Sequence, residues 1–155
     1  MKIQWKPLLW NLALPLLTGG LSAVVTANSM KQFEQLHHPP LSPPGWLFPI
    51  VWTILFLLMG CSAYLVSVAN SPYRITALRI YGIQLAVNFF WPILFFRLEA
   101  FLGAFFWLFL LWILIIVMIV LFYKVKHTAA YLQIPYLLWV TFAGYLNIAI
   151  YFLNK

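Results

Sequence analysis

An all-α integral membrane bundle of five transmembrane helices is the fold class this sequence predicts, and three observations carry the prediction. Apolar residues make up 65% of the 155-residue chain and charged residues only 7%, with a mean hydropathy of +0.97. A water-soluble domain carries roughly 25% charged residues to cover its surface, so most of this chain's surface faces lipid. Second, the apolar residues fall into five runs, Leu8–Asn28, Trp46–Ala69, Ile80–Phe96, Phe101–Tyr123 and Ala129–Leu153, each near the ~20 residues a helix needs to cross the hydrocarbon. Third, the runs are continuous, as in FFWLFLLWILIIVMIVLF over 105–122. A membrane β-barrel, which alternates apolar and polar residues along short strands, is thereby excluded. The spans use up most of the chain, so a single transmembrane domain over 1–155 is expected, with the segment 29–45 as its one long loop.

Lys2 and Lys6 precede the first run, which is too long for the apolar region of a signal peptide and is read as a retained span. The loop reads SMKQFEQLHHPPLSPPG, with an amphipathic turn at Phe33 and Leu36 followed by a proline-rich stretch. Ser42 before Pro43 has the form of a helix start, a hydroxyl cap followed by proline. Pro49 then delays or bends the helix, so Pro43, Pro44 and Trp46 are expected to form a stiff lip, with Trp52 deeper in the span. Cys61 is the only cysteine and cannot form an intramolecular disulfide.

In the third run, Gln84, Asn88 and Trp91 are spaced by four and three and share a helix face. The fifth run places Pro135, Trp139, Ala143 and Asn147 on one face by the same reasoning, and the second does so for Trp52, Phe56, Met59 and Ala63. Buried amides in lipid need partners, so Gln84, Asn88 and Asn147 are expected inside the bundle. Trp5, Trp10 and Trp46 fit an interfacial aromatic belt, and Trp107 and Trp112, on a span without polar partners of its own, read as lipid-facing or packing residues.

Lys2, Lys6, Arg74, Arg79, Lys124 and Lys126 fall on the side of the N-terminus, whereas Lys31, Arg97 and Lys155 fall on the other with Glu34 and Glu99. The basic excess places the N-terminus in the cytoplasm and the first loop and C-terminus on the opposite side. The formal charge of +7 is thus a topology signal and an attraction to anionic lipid, not a nucleic-acid footprint.

The chain has no aspartate and no charged residue deep in a run, which argues against proton pumps, ion-coupled carriers and intramembrane aspartyl proteases. His37, His38 and His127 lie in loops, so paired histidine ligands for a haem inside the bundle are not expected, nor is any metal site or resident cofactor. No serine–histidine or cysteine–histidine set converges in the spans. The polar and aromatic residues remain. At ~1.5 Å rise per residue, Trp52, Asn88, Trp91, Ala143 and Asn147 fall in one layer under the first loop, with Trp139 nearer the midplane. Such a layer suits a pocket for a flat, largely apolar ligand, with indoles for its faces and amides for its edge. The alternative is that the amides join helices and the indoles fill space.

PPGWLFPIVWTILFLLMGCSAYLV, QLAVNFFWPILFF and PYLLWVTFAGYLN, in that order, resemble the TspO/translocator protein family, also known as the tryptophan-rich sensory proteins and the peripheral-type benzodiazepine receptor family. The resemblance implies a TspO-like five-helix bundle, commonly a homodimer, that binds porphyrins, haem-type tetrapyrroles and, in eukaryotic members, sterols. It implies a pocket on Trp52, Asn88, Trp91, Trp139, Ala143 and Asn147, lidded by the first loop; Phe56 and Gln84 complete the expected ligand-binding set, with Phe33, Leu36, Pro43, Pro44 and Trp46 as the lid. The sequence departs from the family pattern at Gln32-Phe33, where a Trp-Tyr pair is common, at Leu41 where a tryptophan precedes the prolines, at Phe56 in place of tyrosine and at Pro92 in place of serine. Lid indole and phenol groups are therefore missing, which bears on ligand preference.

Three roles are compatible with these residues. They are a receptor or sensor for porphyrin, haem or other lipophilic ligands; a transporter of such molecules; and an enzyme that degrades porphyrin with tryptophan as its redox-active side chain, as some bacterial members do in light. Loose sterol patterns occur at Leu146–Lys155 and at Val120–Lys126 on the opposite face, which shows how little such a hit specifies. Gly82 and Ala86 could bring two backbones together in a dimer or within one bundle, and Gly19-Gly20 have the same two readings.

Overall fold

Lipid offers the backbone no hydrogen-bond partner, so each apolar run closes its own bonds as a helix. The computed structural model describes residues 2–155, and its elements are all helical. They are α1 (Trp5–Thr26), a 3-10 turn (Ala27–Ser29), α2 (Met30–Glu34), α3 (Leu47–Ser67), α4 (Arg74–Pro92) continued by a π-helical turn (Ile93–Arg97), α5 (Phe101–Val125), α6 (His127–Leu132) and α7 (Ile134–Asn154). Five helical stretches, the last being α6 with α7, are long and apolar enough to cross a membrane. The chain is a multi-pass integral membrane protein.

Two element boundaries differ from the sequence reading. The second span starts at Leu47 with no side-chain cap, not at Ser42–Pro43. Pro49 explains the delay: as the third residue of α3 its missing N–H costs nothing, whereas an earlier start would put it where a donor is needed. Ser42 instead turns its hydroxyl to the His38 ring at 3.3 Å. The third span begins at Arg74, six residues before the apolar run at Ile80, because its first turns lie outside the hydrocarbon and tolerate Arg74 and Arg79.

The spans close into a ring. α1 packs on α3 and α4, α4 on α5, α5 on α6 and α7, and α6 returns to α3. Side-chain bonds pin these seams. Ser22 donates to the Phe89 carbonyl at 3.1 Å, Ser62 to the Ala129 carbonyl at 2.6 Å and Trp107 to the Val87 carbonyl at 2.7 Å. Pro15 has no N–H for the Asn11 carbonyl one turn back. Gly60 packs against that exposed carbonyl, and a Cβ on Gly60 would lie 2.8 Å from both the Asn11 oxygen and the Leu12 Cα. Here α3 lies directly against the backbone of α1, in the half of the bundle that holds the N-terminus. That half is solid: Met59, Ile115, Met118 and Phe122 are wholly buried there.

Gly82 and Ala86 are both exposed, and a Cβ on Gly82 would meet nothing within 4 Å, so this pair faces outward from the bundle.

Candidate ligand-binding cavity

Away from the solid half, a cavity of about 340 Å³ opens between α1, α3, α4 and α7, beneath α2 and the first loop. Its volume lies in the range of small-molecule sites. α3 supplies Trp52, stacked on Phe56 at 5.5 Å, and Phe48, edge-on to Trp139 at 6.0 Å. α4 supplies Asn88 and Trp91, and α7 supplies Trp139, Ala143 and Asn147. Trp91 stacks on Phe95 at 5.2 Å, a residue that the π-helical turn after Pro92 swings into the wall.

The wall is held by a relay of hydrogen bonds between α4 and α7. Trp91 donates its indole N–H to the Asn147 side-chain oxygen at 3.0 Å, and Asn147 donates to the Phe101 carbonyl at 2.7 Å. Asn88 donates to the Tyr136 hydroxyl at 2.7 Å, and that hydroxyl donates to the Gln84 oxygen at 2.7 Å. Asn147 thus has both ends of its amide engaged and shapes the wall, whereas Asn88 reaches the cavity from a position fixed by Tyr136. No charged residue lines the space. Among the described residues, no group of three or more His, Cys, Asp or Glu could hold a metal.

The roof is a single aromatic plug with a strapped backbone. Phe33 is 6% exposed and meets Phe96 at 5.0 Å, Phe95 at 5.7 Å and Phe48 at 6.1 Å, all aromatic centroid distances. Beyond it, Asn154 grips the peptide of His37 from both sides. Its oxygen accepts the His37 N–H and its amide donates to the His37 carbonyl, each at 2.9 Å. Tyr145 donates to the Pro40 carbonyl at 2.7 Å.

Of the residues expected from sequence to bind ligand, Trp52, Phe56, Asn88, Trp91, Trp139, Ala143 and Asn147 line the cavity. Gln84 does not: it is wholly buried one turn below Asn88, bound to Tyr136. Of the expected lid, only Phe33 lines the space. Leu36 packs against the core, and Pro43, Pro44 and Trp46 stand outside, with Trp46 67% exposed. The delayed start of α3 leaves the prolines in the loop and turns Trp46 outward. Trp107 and Trp112, expected to lack polar partners, donate to the Val87 carbonyl and to the Thr141 hydroxyl at 2.9 Å. The acceptors sit on neighbouring helices and are invisible along the span itself.

Sequence reasoning missed Tyr136 and the whole α1 wall of Gly19, Gly20, Ser22, Ala23 and Thr26. A strict 3.6 period through Tyr136, Val140, Ala143 and Asn147, all buried, marks the inner face of α7 better than steps of four do. The small residues of α1 carry no such signal; only the structure shows that Gly19 must be small, because a Cβ there would overlap the Phe56 ring.

The family model described as TspO/MBR family matches residues 11–153. The tryptophan-rich protein TspO of Chlorobaculum tepidum is 38% identical over 126 residues, 79% of this chain and 78% of that protein. Protein CrtK of Rhodobacter capsulatus is 36% identical over 124 residues, 79% of this chain and 78% of that protein. The translocator protein of Bos taurus is 32% identical over 151 residues, 95% of this chain and 89% of that protein. With a family model that spans nearly the whole chain and relatives this similar over most of their length, the chain belongs to the TspO/MBR family.

Proposed function

We propose that this protein is a membrane receptor or sensor whose cavity binds a flat, largely apolar ligand of the porphyrin or haem-type tetrapyrrole class. The observation that carries the reading is the cavity itself: about 340 Å³, walled by the indoles of Trp52, Trp91 and Trp139, edged by Asn88 and roofed by Phe33. Aromatic faces match a conjugated macrocycle, and the lone amide edge suits its few polar atoms. Sterols and other lipophilic molecules of similar size are the competing ligands. The protein needs no cofactor of its own in this reading.

The relatives' names contain the words sensory and translocator, which correspond to two roles. The filled half of the bundle at Met59, Met118 and Phe122 favours sensing, since a conduit would continue through it. Light-dependent breakdown of a bound porphyrin is a third role. The six basic residues on the side of the N-terminus, against three opposite, support a cytoplasmic N-terminus. The outward pair Gly82 and Ala86 supports a homodimer packed through α4.

The test is a protoporphyrin IX titration in nanodiscs, following tryptophan quenching, with Trp139→Phe, Asn88→Ala and Trp10→Phe. Trp10 is 70% exposed and serves as the control; Trp107 is unsuitable because it holds the Val87 carbonyl. Saturable binding weakened in the first two variants alone supports the site. Equal, unsaturable quenching in all of them means the porphyrin only partitions into lipid. Flux across proteoliposomes would favour the transporter, and a defined bleached product in light and oxygen the enzyme.

A further inference from the structure

The cavity is closed on three sides and open on the fourth. Every lining residue from α4, α7, the π-helical turn and the roof is buried or half-buried, including Trp91, Phe95, Asn147 and Phe33. The exposed lining residues are Leu16, Gly20 and Ala23 of α1 and Pro49 and Thr53 of α3. These two helices touch tightly at Gly60 and again where Gly19 meets Phe56, whereas beside Gly20 there is open space. The seam is floored by Phe56, flanked by Leu16, Gly20 and Ala23 on one side and Pro49 and Thr53 on the other, and lies on the lipid-facing surface of the bundle. The roof above it is strapped by the two bonds from Asn154 to His37 and the bond from Tyr145 to Pro40.

We propose that the ligand enters and leaves sideways from the bilayer, through the gap between α1 and α3 at Gly20, while the first loop stays latched. The proposal rests on the ligand-binding reading of the cavity, and it adds the route and the residues that set its width. An apolar ligand is concentrated in the membrane, so a side window meets it where it already is. Opening the roof would break three hydrogen bonds and expose Phe33. The two bonds that join α1 to α3, from the Gln4 N–H to the Tyr64 hydroxyl and from the Asn11 amide to the Ser67 hydroxyl, lie in the opposite half of the bundle, so none ties α1 to α3 across the gap. Gly20 sets the width, because a Cβ there would meet nothing within 4 Å. A larger side chain at that position therefore fits without displacing the fold and fills the gap instead. Gly19, one residue away, has no such freedom, since its Cβ would overlap Phe56.

The experiment compares wild type, Gly20→Leu and Asn154→Ala in nanodiscs by stopped-flow mixing with protoporphyrin IX. The expected result is that Gly20→Leu slows both association and dissociation severalfold. An obstruction on the route raises both barriers, whereas a change confined to the cavity wall leaves association as it is. Asn154→Ala leaves both rates as they are. Faster association in Asn154→Ala together with unchanged rates in Gly20→Leu overturns the window and places entry at the loop. Wild-type circular dichroism and melting in Gly20→Leu establish that the slowed rates belong to a folded protein.

A ligand-independent readout separates the two readings. Ala143→Cys in a Cys61→Ser background puts the only thiol on the cavity wall, to be labelled by a maleimide dissolved in the bilayer or by a charged thiosulfonate in water. Labelling from the bilayer that slows when Gly20→Leu is added supports the window, even if protoporphyrin IX fails to saturate and the ligand reading falls. Equal labelling from water, indifferent to Gly20→Leu, overturns it.

Discussion

Trp91 and Asn147, 56 residues apart in the chain, are joined by an indole-to-amide hydrogen bond of 3.0 Å, and Asn147 passes its own N–H on to the Phe101 carbonyl at 2.7 Å. One amide therefore ties α4, α7 and the start of α5 around the cavity. Asn147→Ala removes an acceptor and a donor at once and leaves the buried Trp91 indole N–H unpartnered. The expected loss of stability is about 1–3 kcal/mol. A double-mutant cycle with Trp91→Phe, read by reversible unfolding in mixed micelles, should return a coupling of about 0.6–1.7 kcal/mol. Additive effects would mean the bond does not hold the helices together.

Gly60 and Gly20 are expected to respond oppositely to the same methyl group. Gly60→Ala places a Cβ 2.8 Å from backbone atoms of α1, which cannot rotate away, and forces the two helices apart. Overpacking of this kind costs about 1–3 kcal/mol. Gly20→Ala meets open space and gains helix propensity, so it should be neutral or slightly stabilising. Thermal melts of the two variants decide it.

Tyr136 is wholly enclosed and bridges Asn88 to Gln84 through a single oxygen. Tyr136→Phe keeps the ring and deletes the bridge. Porphyrin affinity should fall severalfold because Asn88 loses its anchor, with a stability cost of about 1–3 kcal/mol. An unchanged affinity in the titration above would show that Asn88 does not need Tyr136 to face the ligand.

Asn154 holds the peptide of His37 by two bonds of 2.9 Å. Asn154→Ala should let the loop open more often, raising amide exchange at His37 by at least about tenfold, the equivalent of 1.4 kcal/mol. Trypsin cleavage after the exposed Lys31 should accelerate as well. Exchange at the wild-type rate would show that the strap bears no load.

Gln133 is wholly buried at the break between α6 and α7, and neither end of its amide finds a protein partner. Replacing an unpartnered buried amide by an apolar side chain of similar length removes a desolvation cost, so Gln133→Met should stabilise the bundle by about 1 kcal/mol. A lower melting temperature would mean that the amide is satisfied in the membrane after all.

The membrane bundle was legible from the apolar runs, and the cavity stripes on α4 and α7 were legible because tryptophan and asparagine stand out in a hydrocarbon-like sequence. Asn88, Trp91, Ala143 and Asn147 all lie where helical spacing and depth placed them, under the loop. Gln84 shares their face but not their level, and a spacing rule does not resolve a cavity floor one turn thick. The α1 wall was illegible because Gly19, Gly20, Ser22 and Ala23 work by being small, and smallness has no chemical signature along one strand of sequence.

The sequence by itself determined that the chain lives in lipid, that its backbone closes into five spans, and that Gln84, Asn88 and Asn147 lie inside them. Each of these depends on one segment at a time: the length of an apolar run, the hydrogen bonds a helix makes with itself, the period of its side chains. Only the tertiary structure decided that α1 walls the cavity, that Phe33 and not the proline lip plugs it, that Trp107 and Trp112 have partners, and that the seam at Gly20 stands open. Those features are relations between segments, set by how closely two helices approach at Gly60 and by the open space left at Gly20, and packing between helices is the one thing a single helix cannot specify.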